Sequence, residues 1–357
     1  MKKTVLFMAA LATVSFGWAQ NLAKNEAKSL QAFISQTAAN GGTNGQALGF
    51  SGGNVASLPG ITVSNGHVTE IKWNGKDLAG SLDLTNFTAL EKVDVSGNKL
   101  TGLTVVSPTV TEINASKNRL TSAQFDTQQL QVLKLNRNRI TDIDLTGTPL
   151  LKKFNIASNH LVDLDVSNAV NLTYINAMSN KLEQLSVTDC QALKTLYAGY
   201  NDLSSITLAG LTKLQNLNLQ GNKIQKLYIQ DLPSLATLAV NDNHMTQLSV
   251  NGCKALNDIF APYNDLTSFT VSNVPTLAFV NLEWNDLTYV DLSNLNFLQR
   301  VNISNNQLQT LDVSFDPMLT YLNISYNVNL TDLRTMGDSQ LRQIVGEWSN
   351  FNDPESF

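Results

Sequence analysis

Apolar residues recur along the chain in a fixed frame. Counting from Asn201, Leu193 lies eight before, Leu196 five before and Ala198 three before, while Leu203 lies two after, Ile206 five after and Leu208 seven after. The next frame, set on Asn222, repeats this with Leu214, Leu217, Leu219, Ile224, Leu227 and Ile229. Twelve asparagines anchor the frames: Asn98, Asn118, Asn138, Asn159, Asn180, Asn201, Asn222, Asn243, Asn264, Asn285, Asn306 and Asn327. Their spacing is 20, 20 and then nine times 21 residues. Before each Asn the apolar positions alternate with polar ones, which predicts a short strand with one face buried. About a dozen residues of each frame remain outside that strand, too few for a helix of several turns. A second alternation, as in Leu164-Asp165-Val166-Ser167, Val290-Asp291-Leu292-Ser293 and Leu311-Asp312-Val313-Ser314, predicts a short extended or irregular return segment.

A coil of about 21 residues cannot bury its apolar face alone, but stacked coils can share one continuous core. The frame L-x-x-L-x-L-x-x-N-x-L is that of a leucine-rich repeat. The predicted fold is therefore mainly β: a right-handed solenoid of 21-residue coils. It should carry a parallel sheet on the concave face, short extended or irregular convex segments and a small helical N-terminal cap. The Asn falls where the strand turns away. Its amide both donates and accepts, so it can satisfy buried backbone groups of adjacent coils.

The ends depart from the frame. Residues 1–19 run from Lys2 and Lys3 through an apolar stretch to Gly17-Trp18-Ala19, the layout of a secretory signal. Residues 20–66 read as an N-terminal cap. Ala27, Leu30, Phe33 and Ile34 fall at helical spacing, residues 38–59 read as loop, and Asn65-Gly66 reads as a type I′ hairpin turn. The solenoid is assigned to residues 67–333, with Lys76 in the first Asn slot. Residues 334–357 read as a degenerate last coil and tail, with Ser349 in the Asn slot.

On these residues the stretch from about Val68 to Leu333 resembles the secreted internalin-like leucine-rich-repeat proteins. It is most similar to the internalin-J-like proteins of Bacteroidetes-type bacteria. The likeness rests on the 21-residue period and on runs such as Asn285-Asp286-Leu287-Thr288-Tyr289-Val290-Asp291-Leu292-Ser293. The opening from Ala27 to Phe50 also resembles the short helical leader of that group. The resemblance implies an exported, non-enzymatic binding protein, with the cell surface or the medium favoured over the periplasm. It implies a role in adhesion, biofilm formation or host contact.

Charge and composition narrow the chemistry. The net charge of −5 becomes −7 once Lys2 and Lys3 leave with the signal segment. An acidic chain without a long basic run argues against nucleic acid as the partner. No later stretch has 18 uncharged apolar residues in a row, so no transmembrane helix is expected. Cys190 and Cys253 hold the same slot three coils apart, roughly 14 Å at strand spacing. A disulfide needs Cα atoms within about 7 Å, so both read as buried apolar residues. His67, His160 and His244 have no second ligand at metal spacing, and Asp142 and Asp144 read as turn residues. No enzyme, cofactor or metal is expected, and the chain is expected to be a monomer.

The candidate ligand surface is the concave face. Four before each Asn the column holds Asn in seven of twelve coils, a second amide column that reads either as a binding surface or as amides hydrogen-bonded along the sheet. Tyr197 and Phe260 interrupt it, and Tyr174 and Phe279 lie six before their Asn. Tyr200, Tyr263, Trp284 and Tyr326 lie one before it, at the strand's exit edge. Tyr174, Tyr197, Tyr200, Phe260, Tyr263, Phe279 and Trp284 are the candidate contacts for a protein or a glycan, because exposed aromatics bury much area at low entropic cost. The exit-edge aromatics could equally pack over the neighbouring coil. Lys117, Arg119, Lys134, Arg137, Arg139, Lys152 and Lys153 make residues 90–160 the basic part of the chain. Residues 228–300 carry two basic and seven acidic residues.

Overall fold

The computed structural model describes residues 22–346. The signal segment read at 1–19, and Ser349 of the degenerate last coil, lie outside the described residues. The chain is a parallel β solenoid. Fifteen short strands form one sheet, in chain order along the solenoid. Its first pair, β1 (Ile61–Ser64) and β2 (His67–Lys72), is antiparallel, and both turn residues, Asn65 and Gly66, have positive φ. Every later pair is parallel and in register, such as Leu196 beside Leu217 and Ile259 beside Val280. In these strands the middle residue is buried and its two neighbours are half or fully exposed, except in the last, Gln343–Val345, where Ile344 is only half buried. The core is one continuous cluster from Leu22 to Leu330.

The return side is patchier. Short strands there form four separate small sheets among the described residues, for instance Lys226–Gln230, Gln247–Asn251 and Ser268–Ser272. Residues 143–147 and 205–208 form no strand, and Ile143, Leu145 and Ile206 are only partly buried there. Extended and irregular segments thus both occur, as the alternation predicts.

The ladder asparagines hold the coils together. Asn201 Nδ2 donates to the Ala198 carbonyl of its own coil and to the Ala177 carbonyl of the coil before, each at 3.0 Å. Its Oδ1 accepts the Leu182 N–H, also from the coil before, at 3.0 Å. Ala177 in turn accepts a second bond from Asn180 Nδ2. Each carbonyl of this column thereby takes two amide donors. Eleven of the twelve asparagines are buried, and Asn180 is half buried.

The N-terminal cap differs from its sequence reading. The helix α1 spans Lys24–Ile34, but residues 38–59 are not simply loop. They contain a second helix, α2 (Asn44–Ala47), closed by a capping box between Thr43 and Gln46, and a 3₁₀ turn at Val55–Ser57. The Thr-x-x-Gln spacing carries that signal in the sequence. Phe33 stacks on Trp73 at 5.6 Å, which closes the core at this end. The buried Glu26 accepts the Val68 N–H and meets His67 Nδ1, both at 2.8 Å, tying α1 to β2.

One buried slot changes character along the solenoid. Eleven before each Asn it holds Thr127 and Thr148, a partly buried Ala169, then Cys190, Leu211, Leu232, Cys253 and Val274; all but Ala169 are buried. Cys190 and Cys253 are free thiols, and burial pushes the Cys190 pKa up to about 11. After a partly buried Leu295, the slot holds Asp316 and then Asp338. Asp316 is fully buried; its Oδ1 accepts the Leu295 N–H, and its own N–H donates to Asp338 Oδ1. Oδ2 of both residues is buried without a partner. Burial pushes Asp316 up to about 8 and Asp338 up to about 6.

Two predictions follow from these contacts. Asn201→Ala strands the Leu182 N–H, while both carbonyls keep one donor. It should cost about 2–3 kcal/mol in urea unfolding, and Asn180→Ala, closer to water, should cost less. For the acidic slot, the folded state holds its protons more tightly than the unfolded chain, whose carboxyls titrate near pH 4. Stability of the last coils should therefore be greatest in acid and fall as pH rises from about 4 to about 8. Asp316→Asn keeps the acceptor and removes the charge. Hydrogen exchange over residues 295–346 should then be slower than in the parent at pH 8 and nearly equal at pH 4.

Candidate functional site

The strands of the main sheet bring four of the aromatic candidates together in pairs. Tyr174 and Tyr197 sit diagonally on neighbouring strands, because Tyr197 lies opposite Asn176. Their rings meet edge to face at 6.0 Å. Phe260 and Phe279, also on neighbouring strands, meet across the opposite diagonal at 5.1 Å. Aromatic side chains reach across such diagonals, and the paired rings hold each other in place. All four are half buried, leaving one side of each ring at the surface. Asn218 and Ala239 separate the two pairs along the same column. The stripe continues where the sequence reading stopped: the Arg300 guanidinium lies 5.2 Å over the Tyr321 ring, on the two strands after Phe279. Tyr321 occupies the same slot as Phe279, six before its Asn, which is the signal that could have found it.

Tyr200, Tyr263 and Trp284 do not lie on the sheet. They occupy the rim, where the backbone is left-handed. All twelve residues preceding the ladder asparagines have positive φ, from 53° to 68°. The next coil fixes this geometry: the Tyr200 N–H donates to the Gln220 carbonyl, and the Trp284 N–H to the Ser304 carbonyl. Gly97 and Gly221 suit such a turn, but an aromatic residue there stores strain of order 1 kcal/mol. Tyr263 and Trp284 stack at 6.3 Å and 15°, each still about half exposed. Tyr200 lies over Gly221, whose Cα hydrogens leave room for the ring: a Cβ there would stand 2.7 Å from Tyr200 Cδ1. The rim aromatics thus pack on the neighbouring coil and remain half open to solvent.

The asparagines four before the ladder do not bond to one another along the sheet. Each Oδ1 accepts the N–H two residues on in its own coil, at 3.2 Å for Asn155 and Asn176 and 3.0 Å for Asn218 and Asn281. Asp94 does the same for Ser96. These are Asx turns that end each strand before the left-handed residue. Among the column, Asn302 Nδ2 reaches Glu283 in the coil before, whereas Asn155, Asn176, Asn218, Asn281 and Asn323 use their Oδ1 within their own coil.

The remaining polar candidates have local roles. Asp144 Oδ1 accepts the Thr146 N–H at 2.8 Å, and that bond holds its carboxyl below the usual range. His244 faces Asp265 at 3.4 Å. Among the described residues no three His, Cys, Asp or Glu side chains gather into a metal-binding group, and no helix is long and apolar enough to cross a membrane. A cavity of about 880 Å³ lies at the C-terminal end, away from the aromatic stripe, lined by Phe315, Met336, Asp338 and Leu341 among others.

Architecture and repeat chemistry define the class: a leucine-rich-repeat solenoid with an asparagine ladder. No family model matches the chain, and no curated protein matches it. Solved structures do. The leucine-rich effector YopM of Yersinia pestis is similar at TM-score 0.60 and 21% identity, over 81% of this chain and 86% of that one. YopM of Yersinia enterocolitica WA-314 is similar at TM-score 0.59 and 22% identity, over 80% of this chain. The chain spans 63% of that protein's length. The functional domain of the internalin InlJ of Listeria monocytogenes, which includes a cysteine ladder, is similar at TM-score 0.52 and 19% identity, over 85% of this chain and 70% of that one. These likenesses are of fold, and all three are bacterial leucine-rich-repeat proteins.

The rim strain is testable. Trp284→Gly relieves the left-handed backbone and removes one stacked ring, so the two effects oppose each other. Thermal unfolding should place the variant within about 1 kcal/mol of the parent, a small change for the loss of a tryptophan. A loss of several kcal/mol would mean that Trp284 is a structural residue.

Proposed function

We propose that the chain is a non-enzymatic binding protein that receives a protein partner on its concave face. On this reading it is exported, stands at the cell surface or in the medium, and serves adhesion, biofilm formation or host contact, as the resemblance to internalin-like proteins of Bacteroidetes-type bacteria implies. The observation that carries the reading is the aromatic group around Phe260, Phe279, Tyr263 and Trp284. Four rings on two consecutive coils stay partly exposed although two of them sit on strained backbone. Stability alone does not account for large rings in left-handed turns that glycine fills elsewhere. Exposed rings clustered on a rigid sheet supply the low-entropy contact area that protein interfaces concentrate.

A second reading, glycan binding, is favoured by one specific observation. The near-parallel Tyr263 and Trp284 rings, each about half exposed, form a flat edge on the coils whose strands carry Phe260 and Asn281 four before their ladder Asn. Flat rings with amide donors nearby suit a sugar face and its hydroxyls.

Phe260→Ala and Phe279→Ala should lower partner binding at least tenfold, with little change in melting temperature. The readout is pull-down from cells of the source organism and its surroundings, in parallel with a glycan array. A protein captured by the parent but not by the variants, with a blank array, supports the protein reading. An array signal lost in Trp284→Gly supports the glycan reading. Binding unchanged in all variants would remove this surface as the site.

A further inference from the structure

The column just after the ladder asparagines changes character along the solenoid. In its second half it is internally neutralised across coils: Lys223 Nζ meets Asp202 at 2.6 Å, His244 meets Asp265 at 3.4 Å, and Gln307 donates to Asp286 at 2.8 Å. In its first half the same column reads Lys99, Arg119, Arg139, His160 and Lys181, five consecutive coils without a carboxylate. The left-handed position two residues earlier adds Lys117 and Arg137. Lys117, Arg119, Arg137 and Arg139 are all exposed, and among the described residues none has an ion pair or a side-chain hydrogen bond. Coil stacking holds the two rows about 4.8 Å apart. The carboxylates nearest them in sequence are Glu112, Asp126 and Asp142; Glu112 pairs instead with Lys134 at 3.0 Å, and the other two make no ion pair with them among the described residues.

We propose that this four-cation array, flanked by Lys99, binds an acidic polysaccharide through its carboxylate or sulfate groups. The site is separate from the aromatic stripe and does not rest on the reading of it. Guanidinium forks match carboxylate and sulfate oxygens two at a time. Like charges stacked on a rigid register repel until an anion lies along them. The neighbours decide between polyanions. Thr101, Thr121 and Thr141 border the array on one side, and Ser96, Ser116 and Asn136 on the other. There is no aromatic residue in it to stack a base, no apolar anchor to enter a lipid surface, and no apolar centre of the kind a protein interface buries. Charge and hydrogen bonding are what it offers, and a charged sugar chain needs no more.

The test is binding of the full chain to heparin and to polygalacturonate across a salt series. Uncharged dextran, single-stranded DNA, polyglutamate and phosphatidylserine vesicles serve as alternatives. The expected result is retention on a charged glycan but not on dextran. Arg119→Gln/Arg139→Gln should weaken it at least tenfold, reduce the slope of log affinity against log salt by about two, and leave the melting temperature unlowered. Lys223→Gln, which removes an already paired cation, should change it little. Trp284→Gly should leave it intact, so that the two surfaces fail or succeed separately. Affinity unchanged in the double variant would overturn the site. Equal or tighter binding to DNA, polyglutamate or vesicles would overturn the ligand class.

Discussion

The structure depends on one side chain placed twelve times. A carboxamide is the smallest neutral group that both donates and accepts, and each ladder Asn uses both capacities between coils. It closes its own turn and holds the backbone of the coil before it. Because each carbonyl of that column takes amides from two consecutive asparagines, the coils cannot slide without breaking bonds in pairs. The register between coils is fixed, and a column in the sequence becomes a column in space. Every surface described above is a consequence of that translation.

The same constraint sets the cost of what can be displayed. The turn that delivers the Asn forces its predecessor into the left-handed region in every coil. Serine, aspartate, asparagine and glycine fill the position in half of them; Lys117, Arg137, Tyr200, Tyr263, Trp284 and Tyr326 fill it in the others. A long or aromatic side chain there is projected from the rim at a backbone cost that nothing in the core repays. The acidic slot at Asp316 and Asp338 departs in the other direction. A position that packs leucine or cysteine in the middle coils holds a carboxyl that can be buried comfortably only when protonated, so the last coils are coupled to pH while the middle ones are not.

The repeat was legible because twelve copies of one pattern override the ambiguity of any single copy. The alternation gave the strands, and the slot argument kept Cys190 and Cys253 apart as free thiols. What periodicity does not encode is direction. It showed that asparagines recur four before the ladder, but not that Asn155 or Asn218 bonds forward in its own coil rather than sideways along the sheet. It gave no sign of left-handed backbone at Tyr263 or Trp284, since neither residue is a usual marker of it. Arg300 and Tyr321 were missed because a cation and a ring make one surface feature while counting as two residue types. The Thr43–Gln46 capping box was legible but lay in a stretch whose glycines and asparagines suggested only loop.

The two surfaces also constrain each other. Around the rim aromatics the exposed carboxylates Asp242, Asp265 and Asp286 stand on the same or adjacent coils, with half-buried Glu283 between them. Six or more coils away, the cation array lacks any paired acid. A single uniform polyanion lying along the solenoid would gain at the basic end and be repelled at the aromatic end. If both proposed surfaces bind, the aromatic group favours a neutral or basic ligand and the cation array an acidic one. Because the register is rigid and the coils are stacked at constant spacing, neither surface can bend toward the other to share an occupant. On the proposed reading, two surfaces of opposite preference leave room for a neutral or basic partner and an anionic polymer at the same time. Binding at one leaves the other open, and the distance between them is set by the number of coils.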